Sequence, residues 1–154
     1  GLGDVYKRQG KAVAEQHLLD RPQPRVGLGQ CLAGYASACI DISDGLLADL
    51  GHVLRASGCG ARVEIEKLPP TDALAALKDE PRWNYQLSGG DDYELLFTLP
   101  QQHKALLESW RQQHDVQLSV IGEIESGEVI RCLLEDGSNY HPRGTGFEHF
   151  GQKP

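Results

Sequence analysis

Residues 36–67 change hydrophobic period twice, and that alternation favours a fold that layers helices on a sheet. The run ASACIDIS (36–43) is apolar at its middle and reads as a short strand. The run SDGLLADLGHVLRASG (43–58) sets Leu46, Leu47, Leu50, Val53 and Leu54 at spacings of one, three and four, which predicts an amphipathic helix. Ser43 is a suitable N-cap, Asp44 complements the helix dipole in the first turn, and Gly58 is a suitable stop. In ARVEIEK (61–67), Ala61, Val63 and Ile65 share one face, so a second strand is expected.

The rest of the chain is read by the same signals. Residues 10–20 form a short helical stretch, and Pro22 and Pro24 then break it, which marks a linker. A short helix is expected at 28–34, and Thr71 can cap another over 72–79. A Gly-Gly turn precedes a strand at 93–99, and Pro100 opens a helix over 101–114. Segments 116–125 and 128–136 look like a hairpin pair, with Asp136-Gly137 as a turn, and the tail after it has no period. The expected class is α+β, a mixed sheet covered by helices.

With 154 residues, 40% apolar and 24% charged, the chain is long enough for one domain with a true core. No apolar run is long enough for a membrane-spanning helix, and no signal-peptide pattern opens the sequence. The formal charge of −7 and the lack of a basic, aromatic-laced stripe argue against nucleic acid as a partner. Cys31, Cys39, Cys59 and Cys132 form no CxxC pair and sit among apolar neighbours, so buried thiols in a reducing cytoplasm are expected. His17, His52, His103, His114, His141 and His149 show no metal-ligand spacing and read as surface or packing residues.

Two acidic turns stand out. In Asp41-Ile42-Ser43-Asp44-Gly45 a strand ends and a helix begins between two carboxylates. Ser43 and the free N–H groups of the helix start can bind anions, and the carboxylates could hold Mg²⁺ between themselves and a phosphate. The plainer alternative is a helix cap. In Ser88-Gly89-Gly90-Asp91-Asp92-Tyr93-Glu94, two glycines allow close approach of the backbone to a ligand, and three carboxylates follow within four residues. The plainer alternative there is a solvated turn.

Together the segments ACIDISDGLLADLGHVLRASGCGARVEIEKLP, LSGGDDYELLFTLP and GTGFEHF, with the approach HLLDRPQPRVGLGQ, resemble the thiamine-monophosphate kinases over about residues 16–150. That family is similar in architecture to aminoimidazole-ribonucleotide synthetase and selenophosphate synthetase. The resemblance implies a C-terminal domain of three-layer α/β/α form that closes over substrate. It also implies a preceding domain that makes a homodimer and supplies most ATP and Mg²⁺ ligands. The implied reaction is direct transfer of the ATP γ-phosphoryl group to thiamine monophosphate, giving thiamine diphosphate in the cytoplasm. Carried over residue by residue, the resemblance implies several Mg²⁺ ions, one at Asp41 and another at Asp44, nucleotide contact at Ser43, and substrate contact at Asp91 and Phe147. Many relatives have glutamate where Asp91 stands. No general base is implied, because phosphoryl transfer needs positioning and charge neutralisation.

Residues 1–9, GLGDVYKRQ, resemble translated adapter sequence and are set aside, which leaves 10–27 as the end of a preceding domain with its linker and 28–154 as the C-terminal domain. On this reading the ATP-binding domain is missing and the fragment alone is inactive. Two alternatives remain open: another member of the same ATP-using superfamily, such as a selenophosphate synthetase, and a non-catalytic module that holds metal or thiamine phosphate.

Overall fold

The computed structural model describes residues 23–90 and 92–143. Helix α1 (Val26–Leu32) leads to strand β1 (Ala38–Asp41), helix α2 (Leu46–Ser57) and strand β2 (Gly60–Glu64). After a 3₁₀ turn at Ile65–Lys67 come the short helix α3 (Asp72–Ala75), helix α4 (Asp79–Ser88) and strand β3 (Leu95–Thr98). A second 3₁₀ turn at Gln101–His103 precedes helix α5 (Leu106–His114), and strands β4 (Gly122–Glu125), β5 (Ile130–Leu133) and β6 (Asn139–Tyr140) follow.

The strands divide between two sheets. β1 pairs antiparallel with β3, with Asp41 opposite Leu95. The other sheet has the order β4-β2-β5-β6, in which β2 runs parallel to β5 and the remaining pairs are antiparallel. A mixed α+β architecture is therefore present, as expected.

The layering follows from the alternation of β3. Leu96 packs against the larger core, formed by Leu46, Leu47, Leu50 and Leu54 of α2 with Ala61, Val63, Ile65 and Leu87. Leu95 and Phe97 face the other way, toward Leu28 and Leu32 of α1 and Leu107 and Trp110 of α5. Period-2 side chains thus give β3 helices on both faces, which is the three-layer arrangement. Burial of each α2 leucine favours the fold by about 2 kcal/mol.

Several expectations are corrected. Segments 116–125 and 128–136 do not form a hairpin: β2 lies between β4 and β5, and its Arg62 is paired with Glu123 on one side and Arg131 on the other. Ala61 and Val63, almost fully buried, make β2 the strand with most to gain from a central place. Asp136-Gly137 does make a turn, between β5 and β6, with Gly137 N–H donating to Leu134 O. Thr71 caps as expected, its Oγ1 accepting from Leu74 N at 3.3 Å, but the helix stops at Ala75. Helix α4 was not anticipated, because its sequence is polar and contains Pro81; that proline falls in the first turn, where no intrahelical N–H bond is required. Ser43 does not cap α2. Gly45 holds that position, without a side-chain cap, while Gly58 closes the helix as expected. Of the four thiols only Cys132 is buried; Cys39 is exposed, Cys31 and Cys59 are half-buried, and all are free. No helix of the described residues is long and apolar enough to cross a membrane.

Candidate active site

The β1–β3 ladder carries the two acidic turns to one place. Beyond the paired strands, Ile42 N–H donates to Glu94 O and Tyr93 N–H donates to Ile42 O, both at 2.9 Å. The turns then press together through glycine. A Cβ on Gly90 would lie 2.5 Å from the Ser43 carbonyl oxygen, which no side chain could tolerate without moving the backbone. Gly45, at φ +112, leaves its own Cβ position only 3.0 Å from Ser88 C, so the second contact also requires glycine.

Asp49 secures the first turn from behind. It is 2% exposed and lies on the buried face of α2. Its Oδ2 accepts from Ser43 N–H at 2.9 Å and from Asp44 N–H at 3.0 Å. These two amides are therefore committed to a carboxylate inside the chain, which corrects the expectation that the turn's amides are open to an anion. Buried carboxylates are rarely left without such donors, since the desolvation cost would be several kcal/mol. The sequence did contain a signal: an acidic residue interrupting the leucine face of α2.

Asp44, Asp49 and His52 bring possible ligand atoms within 4.8 Å of one another, with Asp44 and His52 exposed. Asp41 is not among them; it sits exposed at the end of β1. His52 is exposed, in keeping with its reading as a surface histidine, and its Nδ1 lies 2.5 Å from Arg55 Nη2. Arginine can only donate, so that nitrogen accepts and is occupied. The oxygen donors are the better fit to a hard cation such as Mg²⁺. No Lys or Arg of the described residues forms an ion pair with Asp41 or Asp44.

In the second turn, Tyr93 adopts φ +52 and is 42% exposed. Positive φ is uncommon for an aromatic residue and costs about 1 kcal/mol or more. Glu94 is held by Arg25, which donates from Nε to Oε2 at 3.0 Å and from Nη2 to Oε1 at 2.7 Å. The pair raises the Arg25 pKa above its ordinary value, chiefly through the hydrogen bond to Glu94. Sequence reading missed Arg25, because nothing local links it to a residue so distant. Asp91 and Phe147, expected to contact substrate, lie outside the described residues. An open cleft of about 460 Å³, lined by Glu66, Trp83, Leu134, Glu135 and Asp136, shares no residue with the turns.

The layered fold and the paired turns define a class. Residues 4–134 match the family model of AIR synthase related proteins, C-terminal domain, and the chain belongs to that family. Within it the likeness is to thiamine-monophosphate kinase. The chain is 42% identical over 139 residues to that of Salmonella typhimurium, covering 88% of this chain and 42% of the relative. To that of Haemophilus influenzae it is 41% identical over 151 residues, covering 96% and 44%. The crystal structure of thiamine-monophosphate kinase from Stenotrophomonas maltophilia K279a superposes with a TM-score of 0.76 at 35% identity, over 88% of this chain and 46% of that one. A structure of AaThiL complexed with AMPPCP and TMP superposes with a TM-score of 0.66 at 32% identity, over 93% and 45%. The chain thus spans less than half the length of the relatives it matches.

Proposed function

We infer that this chain is the substrate-closing half of a kinase that transfers the γ-phosphoryl group of ATP to thiamine monophosphate, forming thiamine diphosphate and ADP. The observation that carries this reading is the meeting of the two acidic turns, with Gly90 pressed on Ser43. A relative of the same fold binds an ATP analogue and TMP, which supports both substrates.

Asp41 would hold one Mg²⁺ and Asp44 another; their exposed carboxylates, in no ion pair with a Lys or Arg of the described residues, suit that role. Bound there, the ions would offset the charge of the phosphates and polarise the transferring group. Asp49 positions Asp44 by fixing its backbone. Ser43 would contact the nucleotide, and Asp91 and Phe147 the thiamine. No side chain serves as a general base. Residues 28–154 would act with a preceding ATP-binding domain that also forms a homodimer, in the cytoplasm, and this chain alone would be inactive.

The test is made in a complete protein containing this chain. Thiamine diphosphate should form from ATP, Mg²⁺ and thiamine monophosphate. Asp41→Asn and Asp44→Asn should each lower the rate more than about tenfold, or ~1.4 kcal/mol, with the melting temperature kept. Full activity of both variants at limiting Mg²⁺ would reduce these residues to turn formers. Turnover of selenide in place of thiamine monophosphate would move the protein to a sister activity.

A further inference from the structure

Away from the acidic turns, α1 and α5 bring a thiol to an imidazole. Cys31 lies in α1 and His114 is the last residue of α5. Cys31 Sγ is 3.3 Å from His114 Nε2, in a half-buried contact. Gly27, four residues earlier in α1, lies against the same ring: a Cβ there would come within 3.2 Å of His114 Nδ1. The ring is thus seated along one face of α1, with Nε2 turned to the sulfur.

The other three thiols have no such partner among the described residues. Cys132 is buried in the larger core. Cys39 reaches solvent, yet its sulfur is partly desolvated, which pushes the thiol up. Cys59 is half-buried against the core. Exposure alone therefore ranks Cys39 first for reaction with a dissolved reagent, whereas a base within hydrogen-bond reach of the sulfur ranks Cys31 first.

We propose that Cys31 and His114 form a thiol–imidazole dyad that makes Cys31 the S-thiolation site of this chain, with low-molecular-weight disulfides as its substrate class. The Cys31 S–H proton passes to His114 Nε2. The thiolate attacks one sulfur of the disulfide, a new S–S bond forms as the old one breaks, and the released thiolate takes the proton from the imidazolium. One disulfide and one thiol enter, and one mixed disulfide and one thiol leave. Cys31 packs against the cluster of Leu28, Leu32, Leu107 and Trp110, so the adduct sits where α1 meets α5.

The test treats the 154-residue chain with less than one equivalent of glutathione disulfide at neutral pH, followed by acid quenching and peptide mass spectrometry. Cys31 should carry the first adduct, ahead of Cys39 by about tenfold. His114→Asn should lower thiolation of Cys31 by about tenfold and leave that of Cys39 unchanged, the latter also reporting that the fold is kept. Modification of Cys39 before Cys31 in the unsubstituted chain would overturn the proposal, as would an unchanged Cys31-to-Cys39 ratio in His114→Asn. The order in the unsubstituted chain decides the matter even where the variant misfolds.

Discussion

Arg25 and Glu94, 69 residues apart in the chain, form a two-point ion pair between the start of α1 and the second acidic turn. Both ends reach solvent, with side-chain exposures of 30% and 53%, so the pair orients the turn more than it stabilises the fold. Glu94→Gln should cost less than about 1 kcal/mol in urea unfolding. It should nonetheless speed hydrogen exchange at the Tyr93 amide, whose bond to Ile42 O lies beside the pair. Exchange that stays as slow as in the parent chain would show that the ladder holds the turn without Arg25.

Gly90→Ala places a methyl group 2.5 Å from the Ser43 carbonyl oxygen. The turns must part, and the expected loss is about 1–3 kcal/mol. Gly34→Ala, where a Cβ meets nothing within 4 Å, is the matched control and should change stability by no more than about 0.5 kcal/mol. Equal melting temperatures for the two variants would mean that the turns are not in contact in solution.

Asp49→Ala leaves the Ser43 and Asp44 amides without their acceptor. The expected cost is about 2–4 kcal/mol, since two donors lose a charged partner. Asp49→Asn retains an acceptor oxygen and should lose less than half as much. If the two variants unfold at the same denaturant concentration, the carboxylate is not what orders the turn.

Burial pushes the Cys132 thiol up to about 11 from an ordinary 9.0. The unfolded chain therefore releases this proton first as pH rises, and stability present below pH 9.0 declines toward pH 11. The slope is about 1.4 kcal/mol per pH unit for one proton. Tyr140 and Cys39, also raised by desolvation, act in the same direction. Cys132→Ala should lower the whole curve and remove about one proton from its alkaline slope. An unchanged slope in denaturation midpoints between those pH values would show that Cys132 does not titrate differently in the two states.

Local pattern determined much of this protein. The leucine spacing of α2, the stop at Gly58, the cap at Thr71 and the shared face of Ala61, Val63 and Ile65 were legible because each depends on neighbours within about one or two turns. So were the two acidic turns, as runs of carboxylates set beside glycines. Partnership was not legible. That β2 separates β4 from β5 was decided by which strand buries most apolar surface, a property of the assembled core and not of any one segment. That Gly90 meets Ser43, Arg25 meets Glu94 and Cys31 meets His114 was decided only when β3 and α5 took their places beside β1 and α1. Contacts of a few ångströms between distant residues depend on the summed geometry of every intervening element, and no spacing in the sequence encodes that sum.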